Sequence, residues 1–347
     1  MNCNRETGIS LSEGPFLLSP KGKSFLWGGT KLKDEYFKDI NLTPLSETWE
    51  CSTHPDGQST IDSGEYKGWL LSDVIKNHPE YLGICSNGDL PILIKLIDAK
   101  QDLSIQVHPD DSFAREHDGV IGGKREFWYI LDAEKNSTIT YGFLHELSKN
   151  DVRECIYNGT IEDHLQKISV KRGEVYFIPA GCVHAIGSGV LIAEVQDNSS
   201  LTYRLYDYNR KDKNGQLREL QVEKAIEVAC LKKALIPKQP ITTMRSFRGY
   251  QTEKLHDSEY FYIERIRLNT EQCQKSALFN NCSKTFQVLL CIDGYGSLFW
   301  RGEWMFNFKK GDCFFIPSNS AQIKLQGVAN FLRVKPGYRF YSARHTF

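Results

Sequence analysis

The sequence predicts a mainly β protein built from two similar barrels, the first of them carrying helical additions. Three observations lead there. Beyond about residue 254 the chain is almost wholly short strand-like runs separated by Gly and Asp turns, the spacing of a sandwich or barrel. Lys171–His184 (KRGEVYFIPAGCVH) is echoed at Lys309–Gln322 (KKGDCFFIPSNSAQ), and upstream Glu126–Leu131 (EFWYIL) parallels Thr285–Leu290 (TFQVLL). The 347 residues, 40% hydrophobic and 25% charged, suffice for more than one core of ordinary globular composition.

The elements follow in chain order. The first 60 residues are rich in Gly, Pro, Ser and Thr, with strand-like pieces at Phe16–Leu18 and Phe25–Trp27. Apolar positions spaced by three and four predict a short helix over 66–80, stopped near Pro79. Strands are predicted at Ile92–Ile97, Leu103–Val107, Glu126–Leu131 and Thr138–Gly142. The stretch 147–168 reads as helical, with starts at Asp151 and Thr160; strands resume at Ser169–Val170, Val175–Ile178 and Val190–Val195. A third helix is predicted over 217–230, where Leu220, Val222, Ala225, Ile226 and Ala229 make one apolar face. Residues 232–254, with two prolines and no clean period, read as a linker, so domains 1–235 and 236–347 are expected. The second domain runs through strands at Tyr260–Arg267, Thr285–Ile292, Ser297–Phe299, Met305–Phe308, Cys313–Ile316, Gln322–Leu325 and Asn330–Val334.

Composition narrows the function. With 43 Lys+Arg against 43 Asp+Glu, the net charge of zero gives no global reason to expect nucleic acid or an anionic membrane as partner. No apolar run approaches the ~20 residues a bilayer requires. No signal peptide is evident, so a cytoplasmic protein is expected. The ten cysteines form no CxxC pair, which suits reduced, mostly buried thiols. There is no Walker loop, GxSxG or GxGxxG after a strand.

Alternation places Gln106 and His108 on one strand face with Ser104 beside them. Glu126 and His184, on other strands, complete a mixed N/O set of four that zinc would accept. On spacing alone a strand-end histidine and a solvated carboxylate compete with that reading. The second echo, which has Thr285 and Gln322 where the first has Glu126 and His184, brings the two readings level and equips one barrel chemically. Lys95 interrupts an apolar strand (PILIKLI), either snorkelling from an edge or facing a pocket for an anion. Lys124 adjoins Glu126. Glu194 lies inside an apolar strand, where an unpaired carboxylate is costly, while Arg204 and Arg210 either pair with Asp207 and Asp212 or carry chemistry. The aromatics of WYIL and FIP read as core, and the remaining histidines, among them His54, His145, His164 and His256, are assigned no metal role.

Six blocks resemble one family: WGGTKL (27–32), SETWECSTHPDG (46–57), PILIKLIDAKQDLSIQVHPDD (91–111), GGKREFWYIL (122–131), GEVYFIPAGCVHAIG (173–187) and EVQDNSSLTYRLYDYNR (194–210). In combination they resemble type I mannose-6-phosphate isomerases (phosphomannose isomerases) of the shorter bacterial form, zinc enzymes of the cupin superfamily. The resemblance implies a mainly β fold of two cupin (jelly-roll) barrels and one zinc ion per chain, held by Gln106, His108, Glu126 and His184. It implies reversible isomerisation of mannose 6-phosphate and fructose 6-phosphate by proton transfer between C1 and C2 through a cis-enediol. Arg204, Glu194 and Lys124 take the catalytic positions, with Glu194 and Lys124 both open as the proton carrier. Lys95, Ser104 and Arg210 match phosphate contacts, and Glu47 matches an acidic position lining the pocket. The chain lacks the long helical domain of larger relatives, and Arg125 stands where many have Pro or a small residue. A non-catalytic sugar-phosphate-binding cupin and an isomerase of another phosphosugar are the alternatives. No feature of the sequence signals an oligomeric state.

Overall fold

The computed structural model describes residues 14–84, 89–120, 122–211, 214–271, 276–279 and 284–340. The chain forms two compact units, one made of Ser19–Thr60 and Leu90–Thr242 and the other of the remaining described residues. Against the expected domains 1–235 and 236–347, the compact units part at 242/243 and neither is one contiguous block. Phe16–Leu18 and the helical stretch around Leu71–Leu82 belong with the C-terminal strands. The reason is pairing across the sequence: Phe16, Leu17 and Leu18 lie opposite Phe315, Phe314 and Cys313.

The unit of Ser19–Thr60 and Leu90–Thr242 is a sandwich of two antiparallel sheets. One sheet runs, in spatial order, Val175–Ile178, Glu126–Ala133, Val190–Asp197, Ile92–Ala99, Glu47–Cys51, Lys21–Lys23. The other runs Tyr203–Tyr206, Ile105–Val107, His184–Ile186, Thr138–Phe143, Leu165–Ser169. Ile92–Ala99 and Val190–Asp197 are central and buried at every position, which is why their sequences are apolar runs rather than alternating ones. Between the sheets, Ile97, Trp128, Ile130 and Ile192 of the first pack with Ile139 and Ile186 of the second. Each such side chain contributes roughly 1.5–3 kcal/mol through burial.

The helices are shorter than predicted: Leu71–Asn77, Lys149–Asn158 and Val222–Val228. Lys149–Asn158 begins at a capping box in which Ser148 and Asp151 satisfy each other's backbone N–H, and it ends at left-handed Gly159. Residues 165–168, read as helical, form a strand instead, because pairing with Thr138–Phe143 overrides local propensity. Phe25–Trp27 forms a turn rather than a strand. A helix at Asp111–Asp118 was not foreseen, although its signals stand in the sequence: Asp110 caps it, accepting from the Phe113 N–H at 2.9 Å, and Gly119 closes it.

The other unit is a ten-stranded antiparallel sheet around Phe314, Phe331, Leu289 and Ile266. Four predicted strands merge into two long ones, Gln287–Trp300 and Ile323–Pro336, with register shifts where they bend. The predicted linker ends early, since Met244–Phe247 and Tyr250–Asp257 are strands. Both echoes fold alike: Gly173 and Gly311 take positive φ ahead of Val175–Ile178 and Cys313–Ile316. The upstream echo is out by two residues, however. Ile178 lies opposite Glu126, whereas Ile316 lies opposite Gln287, so Gln287 and not Thr285 is the counterpart of Glu126. A slip of two preserves the in–out alternation and is invisible to pattern matching.

His256 in this unit carries a pH prediction. Burial lowers its pKa to about 4, the nearby Asp257 opposing. The folded unit thus favours the neutral ring, and the unfolded chain takes up the proton first. Stability is expected to fall as pH drops from about 6.5 to about 4, by about 3 kcal/mol, and His256→Gln to flatten that limb. Denaturant midpoints across this range check it; an unchanged limb in the variant refutes it.

Candidate metal and substrate site

The site is made by strand register. In the first sheet, Trp49 lies opposite Lys95, Lys95 opposite Glu194, and Glu194 opposite Trp128, a row across four strands; Glu126 is two residues from Trp128 on the same face. In the second sheet, Arg204, Gln106, His184 and Tyr141 form an equivalent row. The edge-on contact of Trp128 with the His184 ring, 5.5 Å between centroids, joins the rows. A pocket of about 370 Å³ lies over them, lined by Glu47, Lys95, Ser104, Gln106, Lys124, Glu126, Glu194 and Arg204.

His108, Glu126 and His184 are buried, with donor atoms within 4.8 Å of one another, the one such His/Cys/Asp/Glu cluster among the described residues. His108 Nε2 is 2.9 Å and His184 Nε2 3.6 Å from the Glu126 carboxylate. The Gln106 amide is 3.3 Å from His184 Nε2, and a flip of that amide presents its oxygen instead. His184 Nδ1 lies 2.8 Å from the Cys182 carbonyl oxygen; donation there leaves the Nε2 lone pair facing the cluster. Burial, with the Lys124 charge adding, brings His108 down to about 3, and burial lowers His184 against the pull of Glu126, so both rings are neutral at pH 7. Burial raises Glu126, but Lys124, His108 and His184 together outweigh it and hold the carboxyl well below its usual range. Three neutral donors and one carboxylate fit a divalent cation.

Around this set, Lys124 Nζ is 2.8 Å from Glu126. The Trp128 indole N–H is shared at 3.0 Å by Glu126 and Glu194. Glu194 is raised by burial and by the Glu126 charge, with Lys95 and Lys124 opposing. Lys95 is 3.1 Å from Glu194 and 4.0 Å from Glu47, and its ammonium lies 4.8 Å from the Trp49 ring centroid. Burial lowers Lys95, but Glu194, Glu47 and Glu126 outweigh it, so the ammonium stays charged and its charge is already balanced.

Ten of the eleven residues singled out from the sequence gather here. Arg210 stands one step away: it pairs with Asp207, donates to the Asp102 carbonyl, and lines an adjoining pocket that shares Phe25, Trp27 and Arg218 with this one. Arg125 also points elsewhere, to Asp111 at 2.6 Å and Asp197 at 3.1 Å, and does not line the site. Sequence reasoning missed Lys23, Trp49, Thr202 and Arg218, which line the pocket, and treated Trp128 as core only. WECSTHPDG was quoted for its resemblance alone, yet its Trp49 and Asp56 both reach the wall.

Comparison with known proteins agrees with this arrangement. Residues 16–155 match the family model of the phosphomannose isomerase type I catalytic domain, and residues 251–336 match that of the mannose-6-phosphate isomerase cupin domain. The chain is 36% identical to the mannose-6-phosphate isomerase ManA of Bacillus subtilis, over 91% of this chain and 96% of that one. It is 34% identical to the mannose-6-phosphate isomerase of Streptococcus mutans, over 91% and 96%. The crystal structure of a Bacillus subtilis mannose 6-phosphate isomerase superposes with a TM-score of 0.86 at 34% identity, covering 93% of this chain and all of that one. With the catalytic-domain and cupin-domain models both matched and these relatives covered nearly end to end, the chain belongs to the type I phosphomannose isomerase family.

Proposed function

We propose that this protein interconverts D-mannose 6-phosphate and D-fructose 6-phosphate in the cytoplasm, with one zinc ion held by Gln106, His108, Glu126 and His184. The carrying observation is the convergence of that buried donor set with Glu194, Lys124 and Arg204 in one pocket. A zinc ion bound there supplies a Lewis acid for the oxygens on C1 and C2. The remaining chemistry belongs to the side chains. Isomerisation removes the proton from C2 of the open-chain aldose, passes through a cis-enediol, and returns a proton to C1. Glu194 suits this transfer better than Lys124, because the Lys124 ammonium is ion-paired with Glu126, whereas a carboxyl whose pKa burial and the Glu126 charge raise is a stronger base than an ordinary carboxylate. Lys95 and Trp128 orient Glu194 from two sides. The Arg204 guanidinium, opposite Gln106 in the sheet, is placed to stabilise negative charge developing on the enediol oxygens. Ser104 and Glu47 line the wall for the sugar hydroxyls.

The test follows conversion of mannose 6-phosphate to fructose 6-phosphate before chelation, after it, and after zinc is restored. Turnover is expected to vanish and return. Turnover indifferent to complete removal of metal overturns the metal's role. No turnover in folded, metal-loaded protein overturns the substrate assignment and favours another phosphosugar or a binding role.

A further inference from the structure

We propose that His145 and His164 bind a second transition-metal ion, a late first-row divalent cation such as zinc, at the exposed surface of the sandwich and separate from the buried donor set. The inference stands independently of the isomerase reading, and it gives a metal role to two histidines that the sequence left without one.

The end of one strand pair builds the site. Phe143 lies opposite Leu165, and the Leu144 N–H donates to the His164 carbonyl at 2.9 Å, so the backbone holds both histidines where Thr138–Phe143 and Leu165–Ser169 meet their loops. The His145 segment is fixed on its other side too, by the Ala234 N–H on the Phe143 carbonyl and the Leu147 N–H on the Leu231 carbonyl. Across that frame His145 Nε2 stands 3.2 Å from His164 Nδ1, with the ring centroids 5.2 Å apart and the planes inclined at 71°. The buried rings of His108 and His184 are 4.7 Å apart and inclined at 54°, a disposition that the outer pair repeats. Two nitrogens on one tetrahedral zinc, each about 2.0–2.1 Å from it, are about 3.3 Å apart, so a small pivot of the rings turns both lone pairs to a shared ion.

Chemistry favours the ion over the bare contact. As a hydrogen bond between solvent-facing rings, the pair competes with water and contributes little. As a chelate it offers two imidazole donors, a set that suits late first-row cations rather than magnesium or calcium. The surrounding charges agree. Lys149 and Lys167, the cations nearest in sequence, are paired with Glu227 at 2.6 Å and Glu162 at 3.0 Å. The Asp151 carboxylate, held low by the Ser148 backbone and hydroxyl, also interacts with His164, so negative potential reaches the ring. Glu146 and Asp163 adjoin the two histidines in sequence. With two protein donors instead of four, water completes the shell, and the ion is held more weakly than one in the buried set.

The test titrates zinc into the zinc-loaded, dialysed protein and counts bound ions per chain in wild type, His145→Ala, His164→Ala and the double variant. Turnover and melting temperature are recorded for each. Wild type is expected to take up one further ion per chain, and each variant to lose that ion while keeping the first ion and its turnover. Copper(II) added to the zinc-loaded wild type is expected to show nitrogen coupling in its paramagnetic resonance spectrum, and the double variant to lose that coupling. Each single substitution removes half the donor set, so if one variant fails to fold the other decides. No further ion in wild type through millimolar zinc overturns the assignment, as does a further ion that persists in the folded variants. Uptake that depends on both histidines, in a protein without turnover, upholds the site while the isomerase reading fails.

Discussion

His108→Ala is expected to abolish metal binding and isomerase activity together. His108 is 1% exposed and stands between the Glu126 carboxylate and the His184 ring, whose centroid is 4.7 Å from its own. No other described His, Cys, Asp or Glu is placed to substitute for it. Its removal leaves Glu126 paired with Lys124, a neutralised couple with little reason to hold a cation. Loss of one ligand from a four-donor set, with a cavity in its place, should lower metal occupancy to background and turnover at least a thousandfold. The ten-stranded unit has its own core and should melt as before. Elemental analysis of the purified variant, a progress curve and a melting profile decide the matter. A metal-free variant with full activity would end the assignment of His108.

Glu194→Gln is expected to retain the metal and lose the reaction. The amide is isosteric, still accepts from Trp128, and leaves Glu126, His108 and His184 untouched. It cannot take the proton from carbon. General-base losses of this kind run about 10²–10⁴-fold in kcat. Because burial and the Glu126 charge raise the Glu194 pKa, the acid limb of the wild-type rate profile should lie above the usual glutamate range, with activity falling as protonation silences the base. In Glu194→Gln that limb should disappear from whatever activity is left. A variant with near-normal kcat and an intact acid limb transfers the role to Lys124.

How far the site could be read from the chain depended on which kind of order placed each residue. Gln106 and His108 were legible because period-2 alternation is a local rule, and Glu194 because a carboxylate within an apolar strand demands a partner. Spacing also suggested the grouping of the four donors against a structural alternative, and the match of the six sequence blocks to a known family singled out that set and gave Arg204 its role. Arg218 and Lys23 carry no local mark: each is one charge among many in a polar stretch, and only the folding of distant segments brings both to one wall. Trp128 was counted as core, correctly for its ring, which is fully buried, but its N–H joins two carboxylates through a cross-strand register that no single strand encodes. Arg210 sits in the adjoining pocket, away from the metal donors. Its neighbours Asp207 and Tyr208 draw the guanidinium back on its own turn. The misplaced counterpart of Glu126 has the same root, since apolar alternation is blind to a shift of two.

The way the two units share the chain bears on its birth at the ribosome. Phe16–Ser19 leaves the ribosome about 300 residues ahead of its hydrogen-bonding partner Cys313–Ile316. The sandwich bearing the donor set is a compact unit that ends at Thr242, so all of its strands have emerged while the rest is still being polymerised. Throughout that interval an apolar strand edge stays unclaimed on the nascent chain, open to other nascent chains or to a holdase. Premature stops between Thr242 and Cys313 should therefore yield polypeptides that have built the sandwich and still aggregate.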